Sequence, residues 1–296
     1  MNVEDGIPEF LHRWLLRRVL RWHERWLEKQ KLAALACFPR DWIGREIVAS
    51  GLYERELLYT IATHAFSSIN DLGATVALDV GANIGNHTVF FSQYFSHVIA
   101  FEPNPAALHL LKANLLMNGI GNVTVVEAGL GNIDSTLPFK ITAGNLGGSG
   151  FITDSNRLSD LNLPVHRGDD VLTDLIPKER RLSFVKIDVE GYELEVIDGM
   201  RDTLTRHQPL VAFESHSSIG ERGGAAIYGH LRDIGYRHLY TLETRKLFPE
   251  YLRFAPIKLV EKMLIGHSKY LTQIDTLENR FYSLLIASAT SLQRPE

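Results

Sequence analysis

The chain has 296 residues, of which 45% are hydrophobic and 22% are charged, and its formal net charge at pH 7 is −4. This composition is typical of a globular protein, and the slightly acidic balance predicts no nucleic-acid partner. The single cysteine, Cys37, excludes an intrachain disulfide and a cysteine-based zinc site. No apolar run approaches the roughly 18 residues of a membrane span, and the N-terminus lacks the apolar core of a secretory signal, so we expect a cytoplasmic protein.

The first pattern along the chain predicts an amphipathic helix over residues 10–35. Apolar residues recur at helical spacing and arginines surround them. The apolar stripe comprises Leu11, Leu15, Val19, Trp22 and Trp26, and the arginines are Arg13, Arg17, Arg18, Arg21 and Arg25. The favoured interpretation is that the stripe packs on the rest of the chain or on a second subunit of a homo-oligomer. The alternative is that this basic helix lies on an anionic membrane surface.

A nucleoside-binding pattern follows the first predicted strand, which ends at Asp79. Gly81 and Gly85 bracket a tight turn into a helix, where we expect the backbone to approach a ligand closely. The next predicted strand, at residues 98–101, ends in Glu102. An acidic side chain at that position accepts hydrogen bonds from both hydroxyls of a ribose.

The spacing of the two glycines distinguishes a dinucleotide site from a site for another nucleoside ligand. Dinucleotide sites of the nicotinamide type show G-x-G-x-x-G, whereas this turn is G-x-x-x-G. Asp79 at the strand end suits a ligand with an ammonium group better than one with a diphosphate. S-adenosylmethionine fits this description. A plain strand-to-helix turn, a nicotinamide-dependent oxidoreductase and a noncatalytic scaffold protein are the alternatives.

Strands and helices alternate along the chain, which predicts an α/β fold with a mostly parallel, seven-stranded sheet and helices on both faces. Further strands are predicted at residues 122–126, 183–187, 209–213, 238–242 and 280–287, and helices at residues 86–95, 105–118 and 193–205. The strand at 280–287 is expected to close the sheet as an antiparallel edge strand. Ligands of such sheets bind beyond the carboxyl ends of the strands.

Three motifs, in this order and spacing, resemble those of the FkbM-type methyltransferases. They are Asp79-Val-Gly-Ala-Asn-Ile-Gly-Asn86, Phe101-Glu-Pro-Asn-Pro105, and Lys186-Ile-Asp-Val-Glu-Gly-Tyr-Glu193 with Gly199. The resemblance implies the class I methyltransferase Rossmann-like fold, S-adenosylmethionine as cofactor, and methyl transfer, usually to oxygen, on small-molecule or glycan acceptors. It implies cofactor contacts from Asp79, Gly81, Asn83, Gly85, Glu102, Pro103 and Asp188, and places Asn145 and Ser149 near the cofactor or the acceptor.

Charged residues alternate with apolar ones along the third motif. Lys186, Asp188 and Glu190 share one face near the strand end, where charges rarely lie without partners. We assign catalytic roles to Lys186 and to Asp188, whose family position faces the methyl donor and the acceptor. The alternative for Lys186 is an ion pair with Asp188 or Glu190 that neutralises the end of the sheet.

Two further polar residues follow the strand at 209–213. Glu214 and His216 share a face, and His216 is a candidate general base because a histidine pKa of about 6.5 suits removal of a hydroxyl proton. The alternative is a histidine that only hydrogen-bonds backbone. Glu190 and Glu214 are candidate acceptor contacts. A divalent cation held by Asp188, Glu214 and His216 is a further alternative, but no local spacing supports a metal site.

We divide the chain into an N-terminal helix with its connector, at residues 1–50, and a methyltransferase domain at residues 51–296. The glycine-rich loop at 142–150 is predicted to be a lid, or else a plain surface turn. Residues 243–278 interrupt the last strand pair. They are predicted to form a cap that shapes the acceptor pocket, with ordinary helical packing as the alternative.

Overall fold

The structure is a computed structural model that describes residues 7–142, 144–152, 158–215, 220, 222–245, 256–257, 260 and 269–293. The strands, in chain order, are β1 (Val76–Val80), β2 (His97–Phe101), β3 (Val123–Val126), β4 (Gly129–Gly131), β5 (Ser135–Lys140), β6 (Gly150–Phe151), β7 (Leu161–Arg167), β8 (Leu182–Ile187), β9 (Leu210–Ser215), β10 (His238–Thr244), β11 (Lys269–Ile274) and β12 (Tyr282–Ser288). The α-helices are α1 (Ile7–Lys29), α2 (Trp42–Ser50), α3 (Arg55–Thr60), α4 (Asn86–Phe91), α5 (Pro105–Met117), α6 (Gly168–Leu175), α7 (Glu193–Gly199), α8 (Arg201–His207) and α9 (Gly224–Asp233).

The central sheet has eight strands in the order β11-β10-β12-β9-β8-β1-β2-β3. Strands β9, β8, β1, β2 and β3 are mutually parallel, which confirms the predicted α/β fold with a mostly parallel sheet. The strand predicted as an antiparallel edge is β12. It is antiparallel, but it lies between β9 and β10 and is not an edge strand. Its apolar run suits this interior position, where Leu285, Ile286 and Ala287 are completely buried.

The edge of the sheet on this side is β11, an eighth strand that pairs antiparallel with β10. It lies within residues 243–278, for which the sequence predicted an acceptor cap. Most of the remainder of that range is outside the described residues. The eighth strand is hard to recognise in the sequence because its burial is only partial, so its apolar pattern is weak.

Helices α4, α5 and α7 begin where the sequence predicted, whereas α1 begins at Ile7 instead of residue 10. Helices α1, α4 and α7 end before the predicted residues 35, 95 and 205. Helix α5 starts as expected, with Pro105 at its first turn and Asn104 Oδ1 accepting a hydrogen bond from Ala106 N at 3.1 Å. The helix predicted at 193–205 is divided into α7 and α8. The division occurs because the Asp169 carboxylate accepts hydrogen bonds from Thr203 N at 2.8 Å and Asp202 N at 3.1 Å, which caps a new helix start.

A second sheet, of four strands in the order β4-β7-β5-β6, follows the first half of the central sheet. Its residues Leu130, Phe139 and Phe151 lie over the end of the central sheet, and Phe139 and Phe151 meet edge to face with ring centroids 5.2 Å apart. The glycine-rich loop belongs to this layer, because it connects β5 to β6. This second sheet therefore supplies one wall of the crevice described below.

The contacts of α1 with the rest of the described chain lie near its C-terminal end. His23 Nε2 is 2.7 Å from the carbonyl oxygen of Val48, and just beyond the helix Arg55 donates to Gln30 at 2.9 Å. Every residue from 9 to 22 is exposed. Packing of the apolar stripe on the rest of the chain, the first of the favoured interpretations, is therefore wrong over these turns. Within the described residues, no helix is long and apolar enough to cross a membrane.

The segment before α2 is held to α5 by a buried asparagine. Asn114 Oδ1 accepts from Ala36 N at 2.7 Å, and its Nδ2 donates to Ala36 O at 3.1 Å and to Ile84 O at 2.7 Å. We expect Asn114→Ala to lower the free energy of unfolding by about 2 kcal/mol, because it leaves buried backbone groups without partners. Urea denaturation followed by circular dichroism measures the loss. Asn118→Ala, which removes similar bonds to Ala34 at a more exposed position, is the matched control and should cost less than half as much.

Candidate active site

A cavity of about 260 Å³ lies at the carboxyl ends of β1, β2 and β8, where the sequence predicted the ligand. We call it the crevice. A second, smaller chamber of about 30 Å³ adjoins it. Tyr53, His87, Lys186, Asp188 and Glu214 line both spaces. The structure therefore brings most of the predicted site residues to one place.

The fold of the protein itself requires glycine at positions 81 and 85, whether or not a ligand is bound. Both have left-handed backbones, with φ values of +79° and +85°. A Cβ atom at Gly81 would lie 1.8 Å from the carbonyl oxygen of Asp188, and one at Gly85 would lie 2.4 Å from Leu111 Cδ1. The predicted tight turn is thus confirmed. Helix α5 and the residue that follows β8 approach the turn so closely that they alone exclude side chains at these two positions.

Glu102 lies at the end of β2 and is only 6% exposed. Its two carboxylate oxygens accept hydrogen bonds from Asn83 N and Asn104 N, each at 2.7 Å. Burial raises the pKa of Glu102 to about 7, although these two backbone bonds and Lys186 oppose the rise. An ionised carboxylate has about four lone-pair sites, so two remain for hydroxyl donors of a ligand.

Two buried polar atoms beside Glu102 lack a hydrogen-bond partner among the described residues. They are Asn83 Oδ1 and Asn104 Nδ2, and both residues line the crevice together with Pro103. Such atoms cost free energy unless a ligand or water pairs with them. An adenosine moiety offers both donors and acceptors, so this part of the crevice fits S-adenosylmethionine.

Lys186 is the central cation of the crevice. Its Nζ lies 3.1 Å from Asp188 Oδ2 and 3.4 Å from Asp79 Oδ1, and it donates to the carbonyl oxygen of Gly81 at 3.1 Å. Burial lowers the pKa of Lys186, but the charges of Asp188 and Asp79 outweigh burial and raise the pKa above its usual value. Lys186 is therefore charged, and it joins the ends of β1 and β8.

These contacts bear on the sequence-based expectations for Asp79 and Lys186. Asp79 is completely buried, its Oδ2 accepts a hydrogen bond from Thr88 at 2.6 Å, and it does not line the crevice. It therefore holds Lys186 instead of reaching a ligand ammonium group. The ion-pair alternative for Lys186 is supported, with Asp188 and Asp79 as the partners.

Carboxylates crowd the other end of the crevice. Burial, together with the negative charges of Asp188, Glu190 and Glu54, raises the pKa of Glu214 to about 8. Glu190 has a left-handed backbone with a φ of 54°, which an acidic side chain rarely adopts.

His216, the predicted general base, lies outside the described residues. No group of three or more histidine, cysteine or acidic residues suited to a metal ion occurs in the part of the chain that is described.

The glycine-rich loop is ordered by its own side chains. Ser149 Oγ accepts from Thr142 N at 3.0 Å, and Thr142 Oγ1 donates to Gly148 O at 2.6 Å. Asn145 and Ser149 both line the crevice, as the family resemblance implied. Its own hydrogen bonds thus hold the loop, and its interpretation as a lid stays a prediction.

Residues before β1 contribute a further wall of the crevice, which was not predicted from the sequence. Asn86 holds this segment, because its Oδ1 accepts from Tyr53 N at 2.9 Å and its Nδ2 donates to Tyr53 O at 3.0 Å. Glu54 then lies 3.3 Å from His87 Nε2. Asn86 and His87 directly follow the glycine turn, so their position was a usable signal. Tyr53 and Glu54 carry no comparable motif.

Replacing Glu214 with Gln should stabilise the protein at high pH. The folded-state pKa of Glu214, about 8, is above the reference value of 4.5, so the carboxyl group favours the fold below about pH 4.5 and loses this contribution as pH rises through 8. The variant should melt above the wild type at about pH 9, and the two should converge at about pH 5. Identical melting temperatures throughout would contradict the raised pKa. Glu127→Gln, at an exposed position, is the control and should show no such divergence.

Three relatives resemble the chain over part of their length. It is 30% identical to the hexuronic acid methyltransferase AglP of Haloferax volcanii, over 49% of this chain and 57% of that protein. It is 28% identical to Methyltransferase 1 of Beauveria bassiana, over 42% of this chain and 58% of the relative. It is 26% identical to Methyltransferase sdnD of Sordaria araneosa, over 46% of this chain and 64% of that protein. The chain thus spans less than two thirds of the length of these relatives.

Among solved structures, Methyltransferase FkbM from Methylobacillus flagellatus KT is 19% identical, with a TM-score of 0.45, over 80% of this chain and 47% of that one. The family model of the methyltransferase FkbM domain matches residues 79–242, a segment that includes the glycine turn, Glu102 and Lys186. This match confirms the resemblance predicted from the sequence motifs and supports S-adenosylmethionine as the cofactor. Because the match covers more than half of its length, the chain belongs to the methyltransferase FkbM domain family.

Proposed function

We propose that the protein transfers the methyl group of S-adenosylmethionine to a hydroxyl oxygen of a carbohydrate or natural product. The observation that carries this proposal is the buried Glu102 carboxylate beside the glycine turn, at the base of a crevice of about 260 Å³. The name of one relative, a hexuronic acid methyltransferase, supports a carbohydrate acceptor.

The cofactor end of the crevice is formed by Glu102 and its neighbours. Glu102 has lone pairs for the ribose hydroxyls, while Asn83 and Asn104 offer an acceptor and a donor that are buried and unpaired within the described chain. Bound S-adenosylmethionine supplies a methyl carbon that is activated by a positively charged sulfur. Asp188, held 3.1 Å from Lys186, provides negative charge where the cofactor end meets the acceptor end.

The acceptor end is proposed to lie where the crevice meets the small chamber. Glu214 and Tyr53 line both spaces there, and Asn145, Ser149 and Glu190 line the adjoining wall of the crevice. Carboxylates and amides at this position suit hydrogen bonds from several hydroxyl groups of one acceptor. Holding the acceptor in line with the methyl group is worth up to about 7–11 kcal/mol in favourable cases, so positioning is the main catalytic contribution of these residues.

The acceptor hydroxyl must lose its proton when its oxygen forms the new bond. A carboxylate whose pKa is raised to about 8 is a suitable proton acceptor near neutral pH, and Glu214 meets this condition. His216, two residues further along the chain, remains the alternative base. The pH dependence of kcat/KM, which reports the ionisation of the free enzyme, distinguishes them. If Glu214 is the base, kcat/KM rises with pH up to about 8, and Glu214→Gln removes that rise whereas His216→Ala preserves it.

The experiment that tests the proposed function is methyl transfer from isotopically labelled S-adenosylmethionine to a panel of uronic acids, neutral sugars and hydroxylated natural products. We expect one labelled methyl group on an acceptor oxygen, located by mass spectrometry and NMR. A labelled nitrogen or carbon would contradict O-methylation. Failure of every acceptor, with tight binding of S-adenosylhomocysteine, would favour the noncatalytic alternative.

A further inference from the structure

Among the described residues, the exposed part of α1 carries a concentration of large apolar side chains that the crevice does not explain. Residues 9–22 are all exposed, and the large apolar side chains Leu11, Leu15 and Trp22 are between 53% and 68% exposed. A contiguous apolar surface of this kind marks a binding site in a folded protein. The partner that binds there must match both the apolar and the basic side chains of the helix.

Most apolar side chains of this helix lie on the half opposite its arginines. At about 100° per residue, the apolar half contains Leu11, Leu15, Leu16, Val19, Leu20 and Trp22. Arg13, Arg17, Arg18 and Arg21 occupy the other half. Phe10 and Trp14 also lie on the basic half, where the Arg18 guanidinium is 4.9 Å from the ring centroid of Trp14. The apolar half is thus about twice as wide as the narrow seam of a coiled coil.

The charge of the helix differs in sign from that of the chain. The sequence of α1 contains six arginine and lysine residues and three glutamates, whereas the complete chain has a net charge of −4. This is a local positive charge on an acidic protein. This positive charge complements an anionic surface, whereas a purely apolar binding partner would gain nothing from it.

We propose that α1 binds to the surface of a membrane that contains anionic phospholipids. Its apolar half enters the boundary between headgroups and acyl chains, and its arginines contact the phosphates. Tryptophan suits this interface because its ring is apolar and its N–H is polar. The helix lies along the membrane, since none of the described helices can span it. The contacts at His23 and Gln30 connect this anchor to the enzyme body.

Intrinsic fluorescence provides a direct test, because three of the four tryptophans in the chain, Trp14, Trp22 and Trp26, belong to α1. The full-length protein is titrated with vesicles of phosphatidylcholine, with and without phosphatidylglycerol. We expect a blue shift of tryptophan emission and co-sedimentation only with the anionic vesicles. Both should weaken as the salt concentration rises, because salt screens the attraction to the phosphates.

Two substitutions separate the apolar and the electrostatic contributions. Leu15→Glu should weaken binding by at least about tenfold, because it places a charge in the apolar half. Arg17→Ala should weaken it by about fivefold, the effect of one basic residue near an anionic surface. The matched controls are Leu116→Glu, at an apolar residue of α5 that is 83% exposed, and Arg206→Ala at an exposed residue of α8. Both controls should bind as the wild type does.

The proposal is overturned if the wild type does not bind anionic vesicles, or if Leu15→Glu binds as tightly as the wild type. It is also overturned if sedimentation shows a dimer that Leu15→Glu disrupts while vesicles are not bound, because the occupant is then a second copy of the chain. Since the substituted residues are exposed, circular dichroism should show unchanged melting for every variant. The outcome does not depend on the methyltransferase activity.

Discussion

Replacing Lys186 with Met is expected to lower the free energy of unfolding by about 3–5 kcal/mol, the usual cost of leaving a buried charge without its partner. Asp79 is completely buried, and the Lys186 ammonium group 3.4 Å away is the cation that compensates it. Asp188 loses its partner at 3.1 Å in the same variant. Urea denaturation at neutral pH measures the change.

The control for Lys186→Met is Lys112→Met. Lys112 forms an ion pair with Glu127, but both side chains are more than 40% exposed, so we expect a loss of at most about 1 kcal/mol. The double variant Lys186→Met with Asp79→Asn should recover much of the stability, because it removes the completely buried charge and leaves only Asp188, whose side chain is 33% exposed, without its partner. If the double variant were no more stable than Lys186→Met alone, the buried pair would not be the cause of the loss.

The second large effect concerns cofactor binding. Glu102→Ala should weaken S-adenosylhomocysteine binding by about 1–3 kcal/mol, through loss of charge-assisted hydrogen bonds to the ribose. The wild-type affinity should rise with pH through about 7, because only the ionised carboxylate accepts both hydroxyl donors and burial holds its pKa at about 7.

Glu102→Gln keeps the shape of the side chain and removes its titration. Its affinity for S-adenosylhomocysteine should therefore be weaker than that of the wild type and independent of pH between about 6 and 8. Glu127→Gln, an exposed substitution, serves as the control and should leave both the affinity and its pH dependence unchanged. An unchanged affinity in Glu102→Ala would remove Glu102 from the ribose site.

The parts of the site that could be predicted from sequence depend on short segments. The turn from β1 into α4, the end of β2 and the end of β8 each bring their functional residues to the crevice through local geometry alone. Gly81, Glu102 and Asp188 therefore reach the crevice as expected. The parallel central sheet was also predictable, since its strands are nearly continuous apolar runs that alternate with helical segments.

The remaining features depend on contacts between distant segments. Asn86 reaches back to Tyr53, and Asn114 reaches back to Ala36, and neither pairing leaves a periodic signal in the sequence. The four-stranded second sheet has short strands of mixed burial, which local patterns rarely reveal. The role of Asp79 was misjudged for a similar reason, because its partner Lys186 comes from another strand.

The measurement that tests the central claim most directly is calorimetric titration of the wild-type protein with S-adenosylhomocysteine and, separately, with NAD. We predict saturable binding of S-adenosylhomocysteine, and NAD binding that is much weaker or undetectable, because the glycine turn lacks the third glycine of a diphosphate site. Preference for NAD, or no binding of S-adenosylhomocysteine, would contradict the assignment of the crevice as a methyl-donor site.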